Sequence, residues 1–308
     1  MKILVTGSSG SIGTRLCQEL IATKHEIIPV DWVENKWSTE INTKTIIVDL
    51  RDTQETLKVL PRDIDMIIHL AANARVYNLI DDPSLAKDNF LSLFSMLEFA
   101  RVQKIQKFLF TSSREVYGDA HDVACTEDAA DVQNSENPYT ASKIGGEALV
   151  YAYHHSYGLS SIILRYANVY GMYDDSDRVI PLFLRRCYNN EDISIFGKGK
   201  VLDFTHIDDI IAGTLSAINT FDSNKNNAFN ISCGVGTFIV DLANLIKDTL
   251  GSTSNIHIEE NRVGEVMKSV VDISKAQEHL QFEPKVSISE GVVKAAEWYT
   301  TNLFSKRP

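Results

Sequence analysis

A glycine-rich turn lies between the first apolar run and the first helical pattern, and few folds place one there. Lys2-Ile3-Leu4-Val5-Thr6 runs directly into Gly7-Ser8-Ser9-Gly10-Ser11-Ile12-Gly13. Glycines allow a tight turn and a close approach of backbone to a pyrophosphate. The helix that follows would offer unpaired N–H groups and a partial positive charge. The spacing is GxxGxxG and departs from the simplest GxGxxG pattern. Such a turn alone can serve only to join a strand to a helix. Its place after the first strand and before the first helix points to dinucleotide binding, with Gly7, Gly10, Ser11, Ile12 and Gly13 at the phosphates.

The rest of the chain repeats that rhythm. Short β-branched runs occur at Ile3–Thr6, Glu26–Val30, Thr45–Asp49, Met66–Leu70, Lys107–Thr111 and Ser161–Arg165, with helical patterns near 12–24, 53–60, 89–102 and 138–157. Runs that are apolar throughout, without alternation, belong to strands buried on both faces. Strand–helix alternation then implies an α/β, Rossmann-type, doubly wound parallel sheet. After about residue 170 the rhythm changes, with a helix expected near 179–189 and a turn at Gly197-Lys198-Gly199. The expected division is 1–170 as the cofactor domain carrying the catalytic residues, and 171–308 as a smaller, mainly substrate-binding region. Segments near 203–232 are expected to return to the main domain, with Ala228–Ser232 as a strand of the main sheet.

Asp31 ends the second strand, 18 positions after Gly13. A carboxylate there can accept ribose hydroxyls and repel a 2′-phosphate. No arginine follows it closely in sequence, and Lys36 is the first base. NAD is therefore favoured over NADP. Asp49 and Leu50, after the third strand, are expected at the adenine edge. Trp32 and Trp37 could line the adenosine pocket or cover the sheet edge.

Tyr139-Thr140-Ala141-Ser142-Lys143 places a phenol and an ammonium four residues apart, on one helix face. A free tyrosine titrates near pH ~10, too high for a base at neutral pH. A neighbouring ammonium and an oxidised nicotinamide would both favour the phenolate. Tyr139 could then take a proton from a substrate hydroxyl while hydride leaves the same carbon. Ser113 sits about 25 residues earlier, at the carboxyl end of a strand, the edge where open α/β sheets bind ligands. It is expected to hold the reacting oxygen beside Tyr139.

Charge and cysteine usage narrow the setting. The net charge of −11 offers no basic stripe for nucleic acid. An anionic substrate would need a local site built from a helix N-terminus and a few arginines. Cys17, Cys125, Cys187 and Cys233 show neither CxxC spacing nor a disulfide framework, so no metal is expected. Scattered thiols, no leader pattern, and no apolar run near the roughly 18 residues of a membrane span lead to the expectation of a soluble cytoplasmic protein. The adjacent His154 and His155 point to different faces. His206 reads as a cap or packing residue before a helix.

Further motifs fill the chain. They are His69-Leu70-Ala71-Ala72, Asn89, Ser113-Arg114-Glu115-Val116-Tyr117-Gly118, Arg165-Tyr166-Ala167-Asn168-Val169-Tyr170-Gly171 and Asp203-Phe204-Thr205-His206-Ile207-Asp208-Asp209. With the glycine turn and the Tyr139–Lys143 motif, the chain resembles the extended short-chain dehydrogenases of the NAD-dependent epimerase/dehydratase family over nearly its whole length. The resemblance implies Ser113, Tyr139 and Lys143 as the catalytic triad, and Leu70, Ala71, Ala72, Asn89, Tyr139, Lys143 and Tyr166 on the NAD side. It implies Asn168 and Arg262 at the diphosphate of a nucleotide sugar, with UDP the usual nucleotide. It also implies a homodimer formed through the helices near 89–102 and 138–157.

Such enzymes share oxidation at C4 of the sugar and differ afterwards. A 4,6-dehydratase carries an Asp-Glu pair where this chain has Arg114-Glu115; arginine is a poor proton donor, although Glu115 remains a candidate acid/base. A glucuronate decarboxylase shares Glu115 and Asp177-Arg178-Val179, but usually has arginine where Leu202 stands. Lys198 or Lys200 could substitute, less directionally. A 4-epimerase needs no extra acid and is the leading expectation. Arg75, Arg114 and Arg178 are expected near the sugar, with Arg75 or Arg114 able to meet a uronic acid carboxylate. An NAD-sensing scaffold is the non-enzyme alternative, but such proteins usually lose the tyrosine or lysine kept here.

Overall fold

Strands that are apolar throughout can be buried only if both faces of their sheet are covered. The computed structural model, which describes residues 1–119, 124–260 and 266–305, meets that demand. Six strands enter the main sheet in chain order: β1 (Lys2–Thr6), β2 (Glu26–Asp31), β3 (Ile46–Ile47), β4 (Met66–His69), β5 (Lys107–Ser113) and β6 (Ser160–Tyr166). A seventh, Asn227–Ile231, returns from the C-terminal half. Across the sheet the order is Asn227–Ile231, β6, β5, β4, β1, β2, β3, and every pairing is parallel. The fold is α/β with a doubly wound sheet.

Residues of one strand divide between two cores. Ile3 and Val5 pack in one cluster with Leu16, Cys17 and Leu20 of the helix Ser11–Ala22 and with Ile210 and Ile211. Leu4 packs in the other, against Leu93, Met96 and Leu97 of the helix Ser84–Gln103 and against Val150 and Tyr153 of the helix Pro138–Tyr157. Ile67, Phe108 and Phe110 share the second cluster, while Met66, Ile68 and Leu109 share the first. Alternate side chains thus point to opposite faces.

Some boundaries differ from expectation for local reasons. β5 continues through Ser112 and Ser113, which pair with Arg165 and Tyr166 of β6. Polar residues hide that extension from an apolar pattern. β3 is only two residues long because it is the edge and meets β2 only at Val30 and Asp31. The helix Ser84–Gln103 starts five residues before the expected 89.

The C-terminal half builds a third cluster from the helices Val179–Tyr188, Ile239–Leu250 and Ile288–Tyr299. The strand Val201–His206 does not join the main sheet. It pairs with Asn168–Tyr170, Gly236–Phe238 and Lys268–Ser269. His206 then caps the helix Ile207–Asn219 by accepting the N–H of Asp208 at 3.3 Å. That helix packs back on the main sheet, and Asn227–Ile231 completes it.

Candidate active site

Sheet order reverses between β1 and β4, each of which leads its chain away in a different direction. A crevice opens outside the carboxyl ends of the strands at such a point. Here it is a cleft of about 1090 Å³ running from the glycine turn past β5 to the C-terminal half. A single drug-sized ligand needs roughly 300–1,000 Å³. The expected site residues of both halves line it, except Arg262, which lies outside the described residues.

The turn is shaped for close approach. Gly7 has φ +69°, and a Cβ there would lie 2.8 Å from the backbone N of Ala71. At Gly13 a Cβ would lie 2.0 Å from the carbonyl oxygen of Gly7. The helix Ser11–Ala22 has no side-chain cap at Gly10, so its first N–H groups remain available at the cleft. Asp31 accepts the N–H of Ser9 and of Trp32 at 2.8 Å each, and that of Val33 at 3.3 Å. Burial pushes its carboxyl up, and these N–H groups oppose the shift. Three of roughly four acceptor sites are in use, leaving one for a ribose hydroxyl.

Sequence proximity missed one arginine. Arg51 lies 5.3 Å over the Trp32 ring, at the Asp31 end of the cleft. It could attract a 2′-phosphate, but it is already held by Asp49, at 2.6 Å, and by Asp88, at 2.9 Å. Asp49 therefore lines the cleft with its carboxylate occupied. Trp32 and Trp37 line the same end, and Trp37 also meets Trp298 edge-on at 5.7 Å.

The reacting end is set by β5 and the helix Pro138–Tyr157. Asn137 caps that helix and Pro138 opens it, which fixes Tyr139 in the first turn. Ser113 ends β5 with its hydroxyl near the Tyr139 phenol, where it favours the ionised form, and it accepts the N–H of Glu115 at 3.2 Å. Lys143 donates to the carbonyl of Thr111 at 2.8 Å, and its nitrogen lies 5.8 Å from the Tyr139 ring centroid. A buried pair clamps the assembly from behind. Arg165 of β6 meets Glu147 of the same helix through two bonds, of 2.9 and 2.7 Å. Glu147, two turns from Tyr139, carried no functional signal in the sequence.

The electrostatics correct one expectation. In the protein alone Lys143 does not lower the phenol. Burial dominates and pushes Tyr139 up to about 12, although the Ser113 hydroxyl opposes it. Burial also pushes Lys143 down to about 8, with Glu147 opposing. Both groups are enclosed, and the Lys143 ammonium is spent on a carbonyl. A phenolate at neutral pH therefore needs further positive charge beside it.

Several expected residues act partly through the frame. Asn89 exchanges bonds with the backbone of Asn73, at 2.7 and 3.1 Å, and reaches Ser142 at 3.1 Å. It thereby fixes the loop of Leu70, Ala71 and Ala72 that faces the cleft. The Tyr166 hydroxyl ends on Thr214 at 2.7 Å. Asn168 donates to the carbonyl of Asp203 at 2.9 Å. Arg75 lies 3.8 Å from Asp177, and Arg178 lies 3.3 Å from Asp174; both arginines are well exposed. Arg114 is different. It is 8% exposed, bonded to Glu115 at 2.7 Å through one nitrogen. Its Nη1 is buried with no partner among the described residues. Leu202 and Lys200 also line the cleft.

A dinucleotide turn and a Ser–Tyr–Lys group facing one cleft define a nucleotide-dependent dehydrogenase of the short-chain type. The sequence model of the NAD dependent epimerase/dehydratase family matches residues 3–232, and the chain belongs to that family. NAD is the cofactor that goes with it. A putative UDP-glucose 4-epimerase of Methanocaldococcus jannaschii is 33% identical over 97% of this chain and 99% of its own length. The UDP-glucose 4-epimerase of Thermotoga maritima, solved with UDP-glucose, superposes with a TM-score of 0.90 at 31% identity, covering 98% of this chain and all of that one. The UDP-glucuronic acid 4-epimerase of Bacillus cereus, in complex with UDP-glucuronic acid and NAD, gives 0.89 at 30% identity over 98% and 99%.

Proposed function

We infer that this protein is a nucleotide-sugar 4-epimerase acting on a UDP-linked hexose. The observation that carries the reading is the state of Glu115. It is the carboxylate beside the Tyr139 phenol, and Arg114 holds it at 2.7 Å. A dehydratase needs a free acid/base there, and a carboxylate tied to a permanent cation is a poor one. Leu202 stands in the cleft where a decarboxylase usually carries arginine. Inversion at C4 needs neither group. The names of relatives in three organisms also support the epimerase and the uridine nucleotide.

The residues divide the work simply. The glycine turn and Asp31 hold the cofactor, with Leu70–Ala72 along its flank. Bound NAD supplies the acceptor, and later the donor, of one hydride. Tyr139 takes the proton from O4 as the C4–H bond breaks, and Ser113 holds that oxygen. Lys143 and Thr111 fix the phenol's surroundings. The 4-keto sugar then turns over in the cleft, and Tyr139 returns the proton as hydride re-enters from the other face. Arg75, Arg178 and Asn168 line the cleft and are assigned to the diphosphate and sugar; Arg262, assigned with them, lies outside the described residues. Residues 1–170 serve the cofactor and 171–308 mainly the substrate.

Incubating the NAD-loaded protein with a panel of UDP-, dTDP- and GDP-sugars and identifying products by NMR tests the reading. Inverted C4 on a UDP-sugar is expected. A 4-keto-6-deoxy product, or a pentose with CO₂, would replace it with a lyase.

The reading includes a cytoplasmic homodimer. Among the described residues no helix is long and apolar enough to cross a membrane. Phe90, Leu91 and Phe94 stand 37–42% exposed along the helix Ser84–Gln103. Phe90 and Phe94 share one stripe, four residues apart. A second copy would cover them. Sedimentation should give twice the chain mass for the wild type, and Phe94→Glu should give the monomer. A monomeric wild type refutes the dimer.

A further inference from the structure

We propose that Arg165 is a positioning residue for the reaction: its buried guanidinium ties the helix that carries Tyr139 to the turn that follows Ser113 and, through that turn, to the last strand of the main sheet. The inference rests on the proposed reading of Ser113, Tyr139 and Lys143 as the reacting group, and it adds what sets that group's geometry.

The three side chains stand on two separate elements. Ser113 ends β5, while Tyr139 and Lys143 belong to the helix Pro138–Tyr157. Apolar packing presses that helix on the sheet, with Phe110 and Leu93 against Gly146. Apolar contact is non-directional, so it fixes the slide and roll of a helix less sharply than bonds do. Lys143 supplies one directional tie, to the Thr111 carbonyl. Arg165 supplies the rest. It stands on β6 opposite Ser112 of β5, one place before Tyr166, which is opposite Ser113. Successive side chains of a strand leave on opposite faces. Tyr166 lines the cleft, whereas Arg165 turns away from it and is 5% exposed.

The fork of Arg165 donates to both carboxylate oxygens of Glu147, at 2.9 and 2.7 Å. Glu147 is one helical turn past Lys143 and two past Tyr139. The remaining nitrogen, Nη1, donates to the Tyr117 hydroxyl at 3.0 Å and to the Glu127 carbonyl at 2.6 Å. Tyr117 closes the short helix Arg114–Tyr117, which Ser113 caps. The Tyr117 hydroxyl in turn donates to the Asn230 side chain at 2.5 Å. Asn230 lies in the strand Asn227–Ile231, and its amide donates to the carbonyls of Cys125 and Asp272 at 3.0 and 2.9 Å. Asp272 follows the strand Lys268–Ser269, which pairs with Val201 and Leu202, and Leu202 lines the cleft. One network thus runs from the sheet of the C-terminal half to the catalytic helix. Arg165, Glu147, Tyr117 and Asn230 themselves do not line the cleft, so placement is what they can supply. Stability alone is a poor reason for them. A buried ion pair replaced by apolar side chains of similar volume is often neutral, whereas a satisfied polar network specifies one arrangement.

The test is Glu147→Met/Arg165→Met, which removes both charges together and strands neither. With NAD-loaded protein and the UDP-sugar it turns over, kcat per NAD-bearing site should fall about 100-fold, the scale of a misplacement by ~1 Å. KM, bound NAD and melting temperature should stay close to wild type, and deuterium at C4 of the sugar should slow the variant at least as much as the wild type. Tyr117→Phe keeps the ion pair and cuts only the tie to the Ser113 turn; it should lower kcat about 10-fold, and it decides the matter should the double variant not fold. Wild-type kcat per site in either variant, a loss carried by KM instead of kcat, or a slow variant without an isotope effect overturns the proposal. The two readings fail separately. A lyase product from the wild type ends the 4-epimerase reading and leaves the role of Arg165, since hydride removal from C4 opens either route. C4 inversion at the wild-type rate in both variants ends the role of Arg165 and leaves the epimerase.

Discussion

Tyr139→Phe should lose roughly a thousandfold in kcat while keeping bound NAD and an unchanged melting temperature. Removal of one positioned acid/base group is worth roughly 10²–10⁴ in rate. The phenol is enclosed, and burial holds it up at about 12 in the protein alone. Its proton therefore moves only when the neighbouring charge is complete. Phenylalanine keeps the ring that packs in the first helical turn and removes only the oxygen. Fold and cofactor should survive, because most contacts proposed for NAD lie elsewhere, at the glycine turn, Asp31 and Leu70–Ala72, and the ring of Tyr139 is kept. The check is turnover of the active UDP-sugar, with NAD released by denaturation and quantified. Activity within tenfold of wild type would remove Tyr139 from the chemistry. Loss of NAD together with activity would make it a structural residue.

Lys143 shows why the cation cannot be read as a simple partner of the phenol. Four residues apart on a helix, the two share a face, and that much follows from spacing. What spacing does not give is the destination of the ammonium. β5 presents the Thr111 carbonyl at 2.8 Å, and the proton goes there. The consequence is positional: Lys143 ties the helix Pro138–Tyr157 to β5. The Arg165–Glu147 pair closes the same corner from β6. A mutation in either tie would move the phenol before it changed any charge.

The parallel sheet and the ends of its strands were legible because apolar runs and a glycine turn are local signals. The cleft was legible for the same reason: strands that end together bring Asp31 and Ser113 to one edge. The missing parts are contacts between segments far apart in the chain. Arg51 reaches Trp32 and Asp88 across 19 and 37 positions. Asn89 spends its amide on Asn73 and Ser142. The burial of Arg114 and its bond to Glu115 are invisible to any pattern, since adjacent Arg-Glu residues commonly lie on the surface. Only the buried turn after β5 makes that pair a feature of the site. β5 itself was read short because Ser112 and Ser113 are polar, and a strand reaching a site carries its chemistry where its hydrophobicity stops.

Gly13→Ala should abolish NAD binding and lower the melting temperature by several degrees. The added methyl would lie 2.0 Å from the carbonyl oxygen of Gly7 and 2.7 Å from the Cα of Ser8. Neither atom is the end of a flexible side chain; both belong to the turn itself. Gly7 cannot retreat, since a Cβ built there already falls 2.8 Å from Ala71 N, and its φ of +69° suits few other residues. The helix Ser11–Ala22 must therefore tilt away from β1, opening the gap where a pyrophosphate would meet the helix N-terminus. Overpacking of a tight site costs roughly 1–3 kcal/mol, which in a chain of this size shifts the melting temperature by roughly 2–4 °C per kcal/mol. Gly10→Ala is the matched control. Its Cβ would approach the Gly7 oxygen no closer than 3.4 Å, and its φ of −72° suits any residue. It should melt close to wild type. Calorimetry on the pair decides the matter: equal melting temperatures of the two variants would show that Gly13 is not the point where helix and strand meet.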